Sequence, residues 1–216
     1  AATAGSFGRF DLFGDATITG RMFFVRANAT HNKSDNYKDG SGQEVNSHFK
    51  RNSQMLQAGL MPTRDTRLSV TYERSRGEAA YADRMMDGTK FDRDAWSVQG
   101  VHQNITPWFK EAELRFGSGT IDHVMDNFSM RPVNRMMGQR LNNPKRTVRT
   151  AHLKTTLEWG NLNVQAGLDW SRDRHRVRKD ADYLTKPFMP TQSFRQAGAF
   201  AEAAWKRTPE QKLVAG

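Results

Sequence analysis

Residues 151 to 170 alternate between apolar and polar side chains on both sides of a two-residue turn. The first half places one set of side chains on a single side: Ala151, Leu153, Thr155, Leu157 and Trp159. After Gly160-Asn161 the alternation resumes with Leu162, Val164, Ala166, Leu168 and Trp170. A period of two that continues across a two-residue turn is typical of a β-hairpin with one apolar face.

Other segments repeat this pattern. The clearest are those with Leu68, Val70 and Tyr72, with Ala112, Leu114 and Phe116, and with Ala197, Ala199, Ala201, Ala203 and Trp205. Phe200 interrupts the polar side of the last segment. Weaker patterns lie at 7–13, 21–30 and 53–61. The sequence predicts nine strands and the start of a tenth at Lys212.

The predicted connections are alternately short and long. Short links are expected near 14–20, 62–65, 106–108, 160–161 and 208–211, and long polar links near 31–48, 75–93, 122–146 and 173–193. Outer-membrane barrels have short periplasmic turns and long extracellular loops. A β-sandwich has no reason to place every long loop at one end. Trp108, Trp159 and Trp205 lie beside short turns, as an interfacial aromatic girdle requires, although they could also anchor a soluble barrel.

Hydropathy agrees with a membrane barrel. The mean hydropathy is −0.78, yet aromatic residues make up 10% of the chain, which argues against disorder. No run of about 18 apolar residues is present, so the sequence contains no transmembrane helix. A membrane crossing would therefore need a closed β-barrel. The last residues, KLVAG, begin a new strand, and a barrel cannot leave two edges unpaired. We therefore expect a fragment of a longer protein.

The net charge of +10 leaves a basic nucleic-acid-binding β protein as an alternative. Against it, the basic residues are scattered. The densest cluster, RDRHRVRK at 172–179, is interrupted by Asp173, and we interpret it as a solvated loop. No cysteine is present, and neither phosphate-binding nor hydrolase motifs occur, so no enzyme is predicted.

One segment, IDHVMDNFSMRPVNRMMGQ at 121–139, concentrates possible metal ligands: His123, Met125, Met130, Met136 and Met137. Thioether and imidazole together favour copper. His123 and Met125 share a face of an extended strand, and this is the lumen face if no bulge intervenes at Gly117 or Gly119. Residue types alone favour methionine as packing filler, and we expect the same of Met85 and Met86. The other histidines lack ligand spacing.

The chain resembles the TonB-dependent copper receptor family of Gram-negative outer membranes in three segments, NYKDGSG (36–42), YADRMMDGTKFDRDAW (81–96) and above all DHVMDNFSMR (122–131). The resemblance implies a 22-stranded barrel closed by an N-terminal plug. It also implies a His-x-Met copper pair, at His123 and Met125 here, whose further Cys and Met ligands lie in the plug. Met130, Met136 and Met137 stay undecided.

Together these features predict an all-β fold, an antiparallel up-and-down transmembrane β-barrel of which residues 1–216 form about nine or ten strands, without the plug domain. The predicted function is TonB-dependent copper uptake at the bacterial outer membrane, with copper or a copper chelate as the transported ligand. The expected partners are outer-membrane lipid and, through the plug, the TonB complex, and no nucleic acid. A receptor for a siderophore or another metal chelate, and a passive porin, remain alternatives.

Overall fold

The computed structural model describes residues 1–216 as thirteen β-strands and one short 3-10 turn. The strands are β1 Ala2–Ala4, β2 Phe10–Thr19, β3 Phe23–Ser34, β4 Tyr37–Lys38, β5 Glu44–Val45, β6 Phe49–Leu60, β7 Thr66–Ala79, β8 Asp87–Gln103, β9 Phe109–Asp126, β10 Leu141–Trp159, β11 Leu162–Lys179, β12 Met189–Thr208 and β13 Gln211–Ala215. The 3-10 turn is Tyr183–Thr185. None of the helical structure is long and apolar enough to span a membrane.

Eleven strands form one antiparallel sheet in the order β1-β2-β3-β6-β7-β8-β9-β10-β11-β12-β13, and β4 pairs with β5 inside a loop. Each long strand pairs with the next long strand along the chain, which is an up-and-down arrangement. Ten of the eleven correspond to the predicted nine strands and the start of a tenth. The three-residue β1 and the β4-β5 hairpin were not predicted.

Short and long connections alternate, as predicted. One edge of the sheet, here called the turn edge, carries the links 20–22, 61–65, 104–108, 160–161 and 209–210. The opposite loop edge carries 35–48, 80–86, 127–140 and 180–188, together with the short 5–9 link. Several predicted boundaries were wrong. The first link lies at 20–22 and not across 14–20, and strands continue into all four predicted long loops.

The strands are longer than a bilayer needs. Strands β8 to β12 have 17 to 20 residues, whereas about 9–11 residues cross a membrane. The extra residues lie at the loop edge, so the sheet continues beyond the apolar region there.

The register divides the sheet into two faces. One, the apolar face, carries a band of large side chains in paired positions, for example the row Leu114, Leu153 and Leu168. These three are 38–56% exposed, and only 12 of 216 residues are buried. A single sheet with an uncovered apolar band has no interior core. An exposed apolar band of this kind is typical of the outer face of an outer-membrane barrel.

Aromatic residues mark both limits of this band. Trp108 and Trp159 stack beside the turn edge with ring centroids 6.0 Å apart, and Trp205 pairs with Leu162 there. This confirms their predicted place beside the short turns. Toward the loop edge the band ends with three further aromatic side chains, Tyr72, Trp96 and Trp170.

The opposite, polar face contains a few phenylalanines, and two of them lie over glycines of the neighbouring strand. Phe200 pairs with Gly167 in the register, and a Cβ on that glycine would lie 2.4 Å from the Phe200 ring. Phe24 lies over Gly59 in the same way. Each ring therefore covers a residue without a side chain, and the interrupted alternation at Phe200 is local packing.

Candidate functional site

The best-packed part of the molecule lies at the loop edge around β8, β9 and β10. Among the buried residues, Asp87, Val124, Asp126, Asn127, Leu141 and Asn143 all come from this region. Four of these six are polar, and burying a polar group costs free energy unless it is hydrogen-bonded. The region is therefore built around a network of hydrogen bonds.

Asp87 holds three loops together. Its carboxylate accepts a hydrogen bond from Nε of Arg131 at 2.7 Å and pairs with the second guanidinium nitrogen of the same residue. It also accepts from the backbone N–H of Tyr81 at 2.9 Å and from the side chain of Asn46 at 3.3 Å. These partners belong to the loops 127–140, 80–86 and 35–48. One carboxylate thus fixes three loops above the sheet.

The protonation of Asp87 follows from these contacts. Burial by itself raises the pKa of this carboxyl, but the hydrogen bonds from Arg131 and Tyr81 lower it by more, and the net pKa lies below the ordinary value of 3.8. Asp87 is therefore ionised at neutral pH, as the ion pair with Arg131 requires.

The sequence DHVMDN at 122–127 ends strand β9 and begins the loop above it. Asp126 accepts hydrogen bonds from the backbone N–H of Phe128 at 3.0 Å and of Ser129 at 2.7 Å. Asn127 donates to the carbonyl of Gly138 at 2.9 Å and accepts from the N–H of Arg140 at 2.7 Å. These bonds fasten both ends of the 127–140 loop directly above Met125.

His123 and Met125 lie on the polar face of β9. The pairing of β9 with β10 runs without a shift from Asp126 to Glu111, and no bulge occurs at Gly117 or Gly119. His123 and Met125 therefore lie on the same face of β9 as Glu113 and Arg115, as the sequence predicts in the absence of a bulge. The one nearby irregularity lies in β8, between Gly88 and Lys90.

The ring of His123 is packed against Phe91, with ring centroids 4.1 Å apart. Phe91 pairs with His123 in the register, and its ring lies over Gly88, where a Cβ would come within 2.0 Å. Nε2 of His123 is buried and has no hydrogen-bond partner. Burial lowers the pKa of this imidazole, and the nearby Asp122 opposes that shift only in part.

Other candidates from the sequence have different surroundings. Met136 is 95% exposed and Met85 is 61% exposed, so the interpretation of Met85 as packing filler was wrong. Met130 and Met137 are half-buried within the 127–140 loop. No group of three or more His, Cys, Asp or Glu side chains has a metal-binding arrangement.

The remaining histidines mostly have polar partners. Nδ1 of His31 lies 2.7 Å from Asn52, that of His48 lies 3.1 Å from Asn36, and that of His102 lies 2.8 Å from Thr66. His175 lies 3.2 Å from Asp173, and His152 is exposed. His123 is thus the only histidine with a buried nitrogen that lacks a partner.

Sequence reasoning missed Gly88 and Phe91. Both lie within the 81–96 segment, but their spacing carries no signal, because Phe91 reaches Gly88 only across the irregular pairing at Thr89. The cluster RDRHRVRK was also misinterpreted. It is the last part of strand β11 and not a loop.

A second concave region lies on the polar face between β7 and β10. It has a volume of about 380 Å³, and its lining includes Arg93, Arg115 and Arg146. Arg93 pairs with Glu73 at 2.6 Å, and Arg146 pairs with Asp173 at 2.5 Å. Arg115 has no carboxylate within salt-bridge distance, so the region has a positive character.

Comparison with known proteins gives structural relatives alone, since no family model and no curated protein sequence matches the chain. Three solved structures are similar. The copper transporter OprC has a TM-score of 0.92 and 30% identity over 99% of this chain and 35% of its own. The ferric citrate transporter FecA has a TM-score of 0.64 and 10% identity over 95% of this chain and 35% of its own. The siderophore receptor PiuA from Acinetobacter baumannii has a TM-score of 0.57 and 12% identity over 99% of this chain and 44% of its own.

The chain belongs to the TonB-dependent transporters of the bacterial outer membrane, with the antiparallel sheet, the apolar band and the loop edge of that class. Within the class it is similar to the copper transporter OprC, whereas the likeness to the other two shows the fold alone. It spans 35% of the length of OprC. These relatives are transporters and receptors, which confirms that the chain is not an enzyme.

Proposed function

We propose that this chain forms part of the barrel of a copper uptake transporter, in which His123 and Met125 are barrel ligands for the transported ion. The two side chains lie on the polar face, which lines the lumen in barrels of this class. They also lie beyond Phe116, where the apolar band ends on β9, and beneath the 127–140 loop. An ion that enters from the extracellular side would meet them early.

The observation that carries this proposal is the buried Nε2 of His123. A buried nitrogen without a partner forfeits its hydrogen bonds to water and gains none in return, at a cost of about 1–3 kcal/mol. Such a group in a native site calls for an explanation. Coordination of a metal ion supplies the missing partner. Because Phe91 covers the imidazole, the ion reaches Nε2 once one of the two rings turns.

The chemistry of the pair favours copper. Imidazole suits copper in either oxidation state, and the soft thioether of methionine selects Cu(I). A histidine must be neutral at the coordinating nitrogen to bind a metal. Burial lowers the pKa of His123, so the neutral form predominates at neutral pH.

Two ligands from the barrel hold a copper ion incompletely. We infer that further ligands come from a plug inside the barrel and that the TonB complex moves this plug to release the ion inward. Barrels of 22 strands in this class enclose a plugged lumen, and the concave polar face of the sheet offers a surface for such a domain.

The test is copper binding by the full-length transporter with both ligands replaced. We expect H123A/M125A to lose tight copper binding in calorimetric titration with Cu(I) and Cu(II), since both barrel ligands are removed. H152A/M85A is the matched control, because it removes the same residue types where they are exposed and outside the 121–139 segment. Unchanged copper affinity in H123A/M125A would refute the proposal.

Uptake of a metal chelate is the second candidate, favoured by the concave region lined by Arg93, Arg115 and Arg146. Arg115 has no carboxylate partner there, and its guanidinium group suits an anionic ligand such as a ferric carboxylate complex, for which Arg93 and Arg146 would have to share their carboxylate partners. The same calorimetric titration distinguishes the two functions. Binding of ferric citrate without binding of copper would favour the chelate.

A further inference from the structure

A group of arginines lies on the apolar face, directly beyond the end of the apolar band. Alternate residues of β11, namely Arg172, Arg174 and Arg176, have the same parity as Leu168 and Trp170. The register places Arg149 of β10 on one side of Arg172 and Arg195 of β12 on the other. These five residues are here called the arginine patch.

The patch has no internal counter-charge. None of its five arginines has a carboxylate within 4.0 Å. The polar face of the same strands differs, because there Arg146 and His175 both pair with Asp173. Like charges directly opposite each other on neighbouring strands are destabilising. Arg149, Arg172 and Arg195 form two such pairs in a row.

The patch also surrounds a small cavity. Thr147, Arg149, Arg172, Arg174 and Arg176 line a space of about 250 Å³ without any apolar residue. The Nε atoms of Arg172 and Arg176 are buried and have no hydrogen-bond partner. Four arginines that line one space without a carboxylate partner indicate a missing anionic partner. Guanidinium groups match phosphate in particular, because they donate two parallel hydrogen bonds to it.

The position of the patch identifies the source of the phosphate. Trp170 marks the end of the apolar band on β11, and Arg172 is the next residue on the same face. Aromatic residues lie at the level of the lipid headgroups. The patch therefore lies at headgroup level on the lipid-facing side. The long loops mark this side of the membrane as extracellular.

We propose that the arginine patch is a binding site for the phosphate groups of an anionic lipid in the outer leaflet of the outer membrane. The acyl chains of the lipid would lie along the apolar band below Trp170, while its phosphates neutralise Arg149, Arg172 and Arg174. The site faces away from His123 and is independent of the transported ligand.

The test uses the full-length transporter in detergent micelles and diphosphorylated lipid A as the probe, with retention measured by native mass spectrometry. R172Q/R174Q should retain the lipid about tenfold less well or worse, since each basic residue near a headgroup contributes measurably to binding. R67Q/K154Q is the matched control, because it removes two positive charges from the polar face.

Three outcomes would overturn the proposal: equal retention by R172Q/R174Q, equal retention of fully dephosphorylated lipid A, or displacement of the lipid by millimolar inorganic phosphate. The last result would indicate a site for free anions. Heat-dependent migration on gels checks that each variant is folded. If R172Q/R174Q does not fold, R149Q/R195Q tests the same patch from its two sides and should weaken lipid retention in the same way.

Discussion

At the scale of single residues, the surroundings of His123 depend on a glycine in the neighbouring strand. Gly88 has no side chain, so the ring of Phe91 lies over it and against the imidazole. Phe91 is thus part of the packing around His123, whose Nε2 is buried. Gly88 therefore acts on the proposed metal ligand through Phe91.

Replacement of Gly88 by alanine should disturb this arrangement. A Cβ at Gly88 would come within 2.0 Å of the Phe91 ring, and forced rearrangement of a packed ring costs about 1–3 kcal/mol. We expect G88A to lower the unfolding midpoint and to change the copper affinity. Gly119 provides the control, because a Cβ there meets only Ala95, at 3.5 Å. Equal copper affinity and stability in G88A and G119A would show that the glycine has no such role.

At the scale of elements, the loops are held by a charge and not by an apolar core. Asp87 is completely buried and Arg131 is 21% exposed. Removing one partner of a buried ion pair destabilises the folded state by more than the intact pair stabilises it, because the remaining charge is buried without a counter-charge. The 127–140 loop should therefore open when Asp87 is neutralised.

This opening should depend on pH. The folded pKa of Asp87 lies below 3.8, so the pair stabilises the loop at every pH above 3.8, and this stabilisation is lost as the pH falls through the folded pKa. Pepsin should cleave the loop only below that pH, whereas D87N should be cleaved at pH 5 as well. Cleavage of the wild-type loop at pH 5 would contradict this account.

The cluster at 172–179 shows why element boundaries were partly wrong. By composition alone, the many charged residues of this cluster favour a loop. In the sheet, its arginines lie on one face, while Asp173 and His175 lie on the other and pair there. A strand that extends past the membrane keeps its period of two but no longer alternates between apolar and polar residues. Periodicity of hydrophobic residues therefore underestimates its length.

At the scale of the whole molecule, stability depends on what covers the apolar face. A charged side chain in the middle of the band should be strongly unfavourable, at about 2–4 kcal/mol near the bilayer midplane. We expect L168R to lower the free energy of unfolding in lipid vesicles, measured by denaturant titration. Q165R is the control, since Gln165 lies on the polar face opposite Glu202. Similar losses in both variants would mean that the face of Leu168 does not contact lipid.

The sequence by itself determined the class of fold and the alternation of five strands, and it placed His123 and Met125 on the polar face on the condition that no bulge occurs at Gly117 or Gly119, which the structure meets. These properties depend on local alternation, which any extended strand expresses. Only the tertiary structure decided three contacts. The ring of Phe91 packs on His123, Asp87 joins three loops through hydrogen bonds, and the register brings Arg149, Arg172 and Arg195 side by side. These contacts join residues from different strands, and the register that brings them together is a property of the whole sheet.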